Sequence, residues 1–248
     1  MKILFAGTPA NAAKTLELLV SSGFNVVGVL TRSDSPKGRN GNPSESPVAE
    51  IAAFHRIDVF KTNAVSKEAL DWMQSKTPDL GVIVAYGSIL KTDALEVPSK
   101  GWLNVHYSLL PEYPGASPVQ NALLDGKTTT GVTVFQLDSG VDTGPILSAQ
   151  SSQITPTATS GSLLEELTDL GATLLIDTIS NLDQRVAARR IQPKNTGYAV
   201  TRRINRAMAR IDFRETSSKV VNLVRAMNPE PVAWFEWDSL AVRVLEAK

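Results

Sequence analysis

The 248-residue chain contains no cysteine and only two histidines, His55 and His106. Without cysteine the chain has no disulfide bond, no thiolate metal site and no cysteine nucleophile, and two histidines are too few for a typical structural zinc centre. No apolar run approaches the ~20 residues that cross a bilayer, and the N-terminal apolar segment is too short for a signal peptide. We therefore expect a cytoplasmic protein without a metal site or a membrane segment.

The chain also has no net charge, because 25 basic residues balance 25 acidic ones, but the charges are unevenly distributed. Residues 1–184 carry 12 Lys and Arg against 19 Asp and Glu, whereas residues 185–248 carry 13 against 6. Nine of these basic residues, with a single acid, lie between positions 185 and 214. Such a block can bind the phosphates of a nucleic acid, or it can be a solvated linker that its charges keep extended. Charge alone leaves both interpretations open.

Short β-branched runs alternate with amphipathic stretches, which predicts βαβ units and a mostly parallel sheet covered on both faces. Strands are predicted at residues 2–6, 25–31, 57–60, 80–85 and 102–106, and helices at 9–22, 47–55, 66–76 and 117–124. Residues 131–137 and 146–150 alternate like strands of a more exposed, antiparallel part, and residues 160–182 are predicted to form a long amphipathic helix.

The segment Pro193-Lys194-Asn195-Thr196-Gly197 interrupts this pattern and marks a domain boundary. We expect a catalytic domain at residues 1–184, a basic linker at 185–206 and a small C-terminal domain at 207–248. The last part has one predicted helix (217–227) and two predicted strands (234–237 and 241–245), too little for a core of its own, so it must either pack on the main domain or lack its partners. The predicted fold class is α/β, a doubly wound, mostly parallel sheet with a small, incomplete, β-barrel-like C-terminal domain.

In open α/β sheets, ligands bind beyond the carboxyl ends of the strands, and one predicted strand end carries unusual side chains. The two-residue alternation of Trp102-Leu103-Asn104-Val105-His106 places Asn104 and His106 on the same face. An amide and an imidazole in this position can donate two hydrogen bonds to one oxygen, which would stabilise a developing oxyanion. The turn after the first strand has one glycine, Gly7, where a dinucleotide-binding turn needs three, which argues against an NAD-dependent oxidoreductase.

A second candidate is Asp142, which lies between two glycines in Gly140-Val141-Asp142-Thr143-Gly144. A carboxylate beside a histidine can orient the imidazole, stabilise its cation or accept a proton. The alternative is a hairpin turn in which Asp138 and Asp142 only bind backbone amides. The remaining histidine, His55, ends a predicted helix, where a cation suits the helix dipole, and we interpret it as structural.

Together these motifs resemble a known family. Asn104-x-His106-x-Ser108-Leu109-Leu110-Pro111-x-x-x-Gly115, followed by Gly140-x-Asp142-x-Gly144, resembles the signature of the 10-formyltetrahydrofolate-dependent formyltransferases. Segments 5–9, 84–90 and 225–229 are similar to the methionyl-tRNA formyltransferases within that family. The resemblance extends through nearly the whole chain, in the family's order.

The resemblance implies a catalytic set of Asn104, His106 and Asp142, a doubly wound formyltransferase domain, no metal and a monomeric protein. It implies 10-formyltetrahydrofolate as the co-substrate and methionyl initiator tRNA as the acceptor. The residues expected to contact the folate or to hold its pterin through their backbone are Ser108, Leu109, Leu110, Pro111, Tyr86, Gly87, Ile89 and Leu90. The residues expected to bind the tRNA are Arg39, Arg202, Arg203 and Arg206.

The chain departs from the family's pattern at two places. Glu112-Tyr113-Pro114 stands where family members have basic residues, and Asn40-Gly41-Asn42 stands where lysines are typical. Both departures bear on tRNA affinity more than on chemistry. Two alternatives follow: a formyltransferase that acts on an amino-sugar nucleotide or glycinamide ribonucleotide, and a tRNA- or folate-binding relative without catalysis.

Overall fold

The computed structural model describes residues 1–36, 41–194 and 196–248. Its strands are β1 (Lys2–Gly7), β2 (Asn25–Thr31), β3 (Ser35–Pro36), β4 (Pro43–Ser44), β5 (Val59–Lys61), β6 (Leu80–Val84), β7 (Trp102–His106), β8 (Thr129–Gln136), β9 (Ile146–Gln153), β10 (Ala233–Trp237) and β11 (Leu240–Val244). Its helices are α1 (Ala10–Ser21), α2 (Pro47–Phe54), α3 (Lys67–Ser75), α4 (Thr92–Leu95), α5 (Pro118–Leu124), α6 (Ser160–Ser180), α7 (Leu182–Ala187) and α8 (Ser217–Ala226).

A central seven-stranded sheet has the order β5-β2-β1-β6-β7-β8-β9. The strands from β5 to β7 pair in parallel, whereas β8 and β9 are antiparallel additions. The predictions of a mostly parallel sheet and of an antiparallel part are therefore confirmed. The predicted exposure of that part is wrong for β8, because α6 covers it and buries Val132 and Val134 against Leu167. The predicted helix at 160–182 also divides at Asn181 into α6 and α7.

Helices cover both faces of the sheet, and β1 shows how the alternation of its side chains creates two cores. Ile3 and Phe5 point into a cluster with α1, α2 and α6, while Leu4 and Ala6 point into a second cluster with α3 and α4. All four side chains are fully buried. Such burial stabilises the fold by ~25 cal/mol for each Å² of apolar surface removed from water. Among the described residues no helix is long and apolar enough to cross a membrane.

Strand β7 separates the same two sides of the sheet. Leu103 and Val105 pack in the larger cluster, whereas Trp102 packs in the smaller one. Because successive side chains alternate, Asn104 and His106 share the face of Trp102. The apolar residue at the start of β7 is thus followed on the same face by two polar ones as the strand approaches its carboxyl end.

The C-terminal residues pack on the main domain, one of the two predicted alternatives, but they also form a small apolar cluster of their own, which the sequence did not predict. Helix α8 lies against α5, and Arg225 donates hydrogen bonds to the carbonyl oxygens of Ala158 (2.8 Å) and Thr155 (2.9 Å). The carbonyl oxygen of Asn228 accepts from the Ser160 hydroxyl at 2.8 Å. Strands β10 and β11 form an antiparallel hairpin beside this junction.

Two strand glycines face tryptophan rings and allow a matched test of core packing. A Cβ at Gly81 would lie 2.2 Å from the ring of Trp102, which is buried and donates its indole N–H to Ala94 (3.0 Å). A Cβ at Gly28 would lie 2.9 Å from the ring of the partly exposed Trp72. We expect Gly81→Ala to lower the free energy of unfolding by about 2–3 kcal/mol, and Gly28→Ala by about 1 kcal/mol or less, because the Trp102 ring is enclosed on all sides whereas the Trp72 ring is partly exposed. Urea unfolding measures both changes; equal losses would contradict the difference.

Candidate active site

Asn104 and His106 lie side by side at the carboxyl end of β7, as the alternation predicted. The pairing register places Asn104 opposite Phe135 and His106 opposite Thr133 on β8. His106 is only 5% exposed, whereas Asn104 is half-buried. Within the described part of the chain no residue forms a hydrogen bond with the Asn104 amide, which leaves this group available to a ligand.

The loop that carries Asp142 leaves β8 beside the start of β7 and then runs toward the carboxyl end of β7. Its first residue, Leu137, donates its N–H to the carbonyl of Trp102 (2.8 Å), at the start of β7. Asp142 nevertheless reaches His106, at the end of the same strand. Asp138 shapes the loop by accepting hydrogen bonds from the N–H of Gly140 (2.9 Å) and the hydroxyl of Thr143 (2.8 Å). The backbone-binding role considered for both aspartates therefore describes Asp138 well, but Asp142 also faces the imidazole.

The imidazole of His106 lies between two oxygen atoms. Its Nε2 lies 2.9 Å from the carbonyl oxygen of Tyr113, and its Nδ1 lies 3.5 Å from Oδ2 of Asp142. A carbonyl oxygen can only accept, so Nε2 carries a hydrogen and Nδ1 is the nitrogen that can interact with a substrate. The neutral imidazole would direct the Nδ1 lone pair at the Asp142 carboxylate. A hydrogen on Nδ1 would instead face the carboxylate favourably.

A backbone amide completes the surroundings of the Asp142 carboxylate. The N–H of Gly115 donates to Oδ2 at 2.6 Å, from the loop that connects β7 to α5. Asp142 itself adopts a left-handed backbone conformation (φ 54°), as does Tyr113 (φ 53°). Such conformations are uncommon for residues other than glycine and are often found at functional sites. Both loops are therefore held in restricted conformations around His106.

The residues predicted to contact folate have different exposures. The buried Ser108 hydroxyl donates to the carbonyl of Glu112 (2.5 Å), and Leu110 packs against Phe135 and Ile146. Leu109 and Pro111 are partly exposed. Ser108 and Leu110 thus stabilise the loop from inside, while Leu109 and Pro111 are accessible to a ligand.

The segment after β6 combines buried and exposed residues. Tyr86 is buried, and its carbonyl accepts a hydrogen bond from Thr8 (2.9 Å), while burial raises the pKa of its phenol to about 12. Leu90 is also buried, but Gly87 is exposed and Ile89 is 83% exposed. Gly87 and Ile89 are thus accessible to a ligand, and the pterin-binding role of this segment stays a prediction.

The predicted tRNA-binding arginines lie outside this cluster. Arg202, Arg203 and Arg206 are all exposed. Arg203 lines a cavity of about 420 Å³ together with Thr8, Arg32 and Ser46. The guanidinium of Arg206 lies 5.1 Å from the centre of the Trp234 ring. Arg39 lies outside the described residues.

Three contributions to this site were missed from the sequence: the Tyr113 carbonyl, Gln192 and Thr201. The Gln192 amide donates to the carbonyl oxygens of Asp142 and Gly144, each at 2.8 Å. Thr201 pairs with the loop that contains Gly115. No sequence motif signals these contacts, because at least one of the two partners in each contact is a backbone atom.

His55, interpreted as structural, lies outside the site, with its Nε2 2.7 Å from a Glu17 carboxylate oxygen. No cluster of metal-binding side chains is found among the described residues.

Two family models match this chain. Residues 1–179 match the family model described as "Formyl transferase", and residues 203–248 match "Formyl transferase, C-terminal domain". A methionyl-tRNA formyltransferase of Acidothermus cellulolyticus is 43% identical over 235 residues, which is 94% of this chain and 72% of that protein. One of Clostridioides difficile is 34% identical over 249 residues, covering 100% of this chain and 80% of that protein.

Solved structures with low sequence identity share the fold. The N-formyltransferase of Helicobacter canadensis, in complex with folinic acid and dTDP-3-aminofucose, superposes with a TM-score of 0.73 at 21% identity, covering 99% of this chain and 86% of the other. The phosphoribosylglycinamide formyltransferase of Bacillus halodurans gives 0.62 at 23% identity, covering 73% of this chain and 95% of the other. The fold is therefore shared by formyltransferases with different acceptors, while the sequence similarity is more specific. On that similarity, this chain belongs to the formyl transferase family, among the methionyl-tRNA formyltransferases.

Proposed function

We propose that this protein transfers the formyl group of 10-formyltetrahydrofolate to the α-amino group of methionyl initiator tRNA. The observation that carries the chemistry is the cluster of Asn104, His106 and Asp142 at the carboxyl end of β7. The relatives named above support the acceptor. All three side chains come from one chain, so the proposal needs no second copy and is compatible with a monomer that acts in the cytoplasm.

The reaction is an acyl transfer without a covalent enzyme intermediate. The neutral amine attacks the formyl carbon, forming a new C–N bond and a tetrahedral intermediate whose oxygen is negative. The half-buried Asn104 amide and protonated Nδ1 of His106 donate hydrogen bonds to this oxygen. When the intermediate collapses, the bond from the formyl carbon to N10 breaks, and the carbonyl reforms as the formamide.

One proton must move from the attacking amine to the leaving nitrogen. We assign this step to Asp142, which accepts the proton from the attacking amine and returns it to N10 as the bond from N10 to the formyl carbon breaks; its Oδ2 lies 3.5 Å from Nδ1 of His106. The Tyr113 carbonyl holds Nε2, so the ring presents Nδ1 to the substrate throughout. This refines the expected pair of donors: His106 contributes through the nitrogen it shares with Asp142.

We also propose that Leu109 and Pro111 contact the folate and that the backbone at Gly87 and Ile89 holds its pterin. The exposure of these groups beside the cluster supports the assignment. Residues 1–184 would form the catalytic domain, with the basic segment 185–206 and residues 207–248 contributing tRNA contacts. In this scheme Arg202 and Arg203 bind phosphates of the acceptor.

The catalytic assignment is tested by single substitutions. We expect Asn104→Ala, His106→Ala and Asp142→Ala each to lower kcat by ~10²–10³ or more, with a much smaller change in the KM for the folate donor, because the lost groups act in the transition state. His55→Ala is the matched control, since it removes the other histidine of the chain and should keep near-normal turnover. The assay is formyl transfer from 10-formyltetrahydrofolate to methionyl initiator tRNA. Near-normal turnover of either His106→Ala or Asp142→Ala contradicts the assignment.

The acceptor is tested by its ionic-strength dependence and by substitution of two arginines. We expect log(kcat/KM) for the tRNA to fall steeply with log[salt], and Arg202→Gln/Arg203→Gln to reduce that slope by about 2, since each lost phosphate contact removes about 1. Arg214→Gln is the control, because this exposed guanidinium is already paired with Asp212 at 2.6 Å. Uncharged tRNA, which lacks the methionyl amine, is the negative control, and an amino-sugar nucleotide is the alternative acceptor. An unchanged slope in the double variant, or faster transfer to the sugar, argues against the proposed acceptor.

A further inference from the structure

The chain returns to the active site after the catalytic domain ends. We call residues 190–194 and 196–204 the strap. Arg190 forms an antiparallel bridge with Ile146, at the start of β9, through two backbone hydrogen bonds of 2.8 Å. Thr201 forms a parallel bridge with Gly115, in the loop between β7 and α5. The strap therefore contacts both loops that surround His106.

Gln192 is the contact between the strap and the loop of Asp142. Its side chain is buried (9% exposed), and its Nε2 donates to the carbonyls of both Asp142 and Gly144 at 2.8 Å. One amide group thereby spans the turn in which Asp142 adopts its left-handed conformation. A carbonyl that is shielded from water is destabilised when it loses its donor, so these two bonds restrain the loop.

Thr201 is the contact between the strap and the Gly115 loop. Its N–H donates to the carbonyl of Pro114 at 2.6 Å, and its carbonyl accepts from the N–H of Ala116 at 3.0 Å. The approach is so close that a Cβ at Gly115 would lie 2.5 Å from the Thr201 oxygen. Gly115 in turn donates its N–H to Oδ2 of Asp142.

Both contacts therefore converge on one carboxylate. Gln192 holds the backbone of Asp142, and Thr201 holds the loop whose Gly115 N–H binds the Asp142 side chain. We propose that Gln192 is a positioning residue for Asp142, an inference that rests on the catalytic role assigned to Asp142 above. Arg202 and Arg203 directly follow Thr201, so the segment that positions the catalytic carboxylate is continuous with the segment proposed to bind the tRNA.

A residue that only stabilises the fold and a residue that positions Asp142 have different consequences. Loss of stability lowers the amount of folded enzyme and leaves the folded molecules unchanged. Loss of positioning alters kcat and the surroundings of His106 in molecules that remain folded. A displacement of about 1 Å at a reacting group can lower the rate ~10²-fold.

The direct test is Gln192→Met, which preserves side-chain length and removes the amide donors. We expect kcat to fall about tenfold to a hundredfold, with a much smaller change in the KM for the folate donor. The matched control is Gln136→Met, which removes an amide that donates to the Lys100 carbonyl (3.3 Å) near the start of β7. It should keep wild-type kcat. Equal kcat in Gln192→Met and wild type overturns the proposal.

A spectroscopic readout does not depend on turnover. The chain has only two histidines, so the imidazole proton signals in its NMR spectrum are few and are assigned with His55→Ala. Gln192→Met should shift the ring signals of His106 and leave those of His55, which is paired with Glu17, in place. Unshifted His106 signals overturn the proposal even if kcat falls. A wild-type enzyme that formylates no methionyl-tRNA would refute the proposed function, whereas this measurement would still report on the contact.

A double-mutant cycle separates action through Asp142 from an independent effect. In an Asp142→Asn background, Gln192→Met should lower kcat less than about twofold, because the group that it positions has already lost its charge. Additive losses overturn the proposal. If Gln192→Met does not fold, Gln192→Asn replaces it: the amide remains but is one methylene too short to span both carbonyls. Gln192→Asn should give the same shift of the His106 signals and a smaller loss of kcat; wild-type values for both overturn the proposal.

Discussion

The partly buried carboxylate of Asp142, whose side chain is 13% exposed, lies beside His106 and is the constraint on which the rest of the site depends. A carboxylate that is removed from water needs a donor or a cation nearby, since an uncompensated buried charge is strongly unfavourable. Here the N–H of Gly115 supplies the donor, and Nδ1 of His106 can supply the proton. These two partners come from different loops, so the loops between β7 and α5 and between β8 and β9 must be held together.

The antiparallel end of the sheet allows this arrangement. In a purely parallel sheet, β8 would end beside the carboxyl end of β7, and its following loop would lead directly into a crossover helix. Instead β8 runs the opposite way, so its loop begins beside Trp102 and returns along the polar face of β7 to His106. The antiparallel strand thus closes one side of the site without a helix.

The predictable part of this architecture follows from periodicity and the unpredictable part from backbone contacts. The shared face of Asn104 and His106 followed from the alternation along a single strand, and the sheet from the spacing of apolar segments. The contacts of Tyr113 and Gln192 use main-chain carbonyls, which every residue has, and Gln192 is 50 positions away from Asp142. No side-chain pattern records such pairings. The burial of β8 was missed for a related reason: its alternation is that of a half-exposed strand, but α6 packs over it.

The role of Glu112 was also hidden from the sequence. This acid stands where family members have basic residues. From the sequence, this acid adds negative charge near a site that must attract tRNA. In the structure its two carboxylate oxygens lie 3.1 Å from the Lys127 ammonium and 3.0 Å from the Tyr198 hydroxyl. The hydrogen bond to Glu112 raises the pKa of Lys127, as expected for a cation beside a carboxylate. Because Tyr198 belongs to the strap, Glu112 links the loop that holds His106 to the segment that carries Arg202 and Arg203. The departure from the family's pattern therefore changes the local charge less than the residue count suggests, and it adds a contact between the catalytic loop and the proposed tRNA-binding segment.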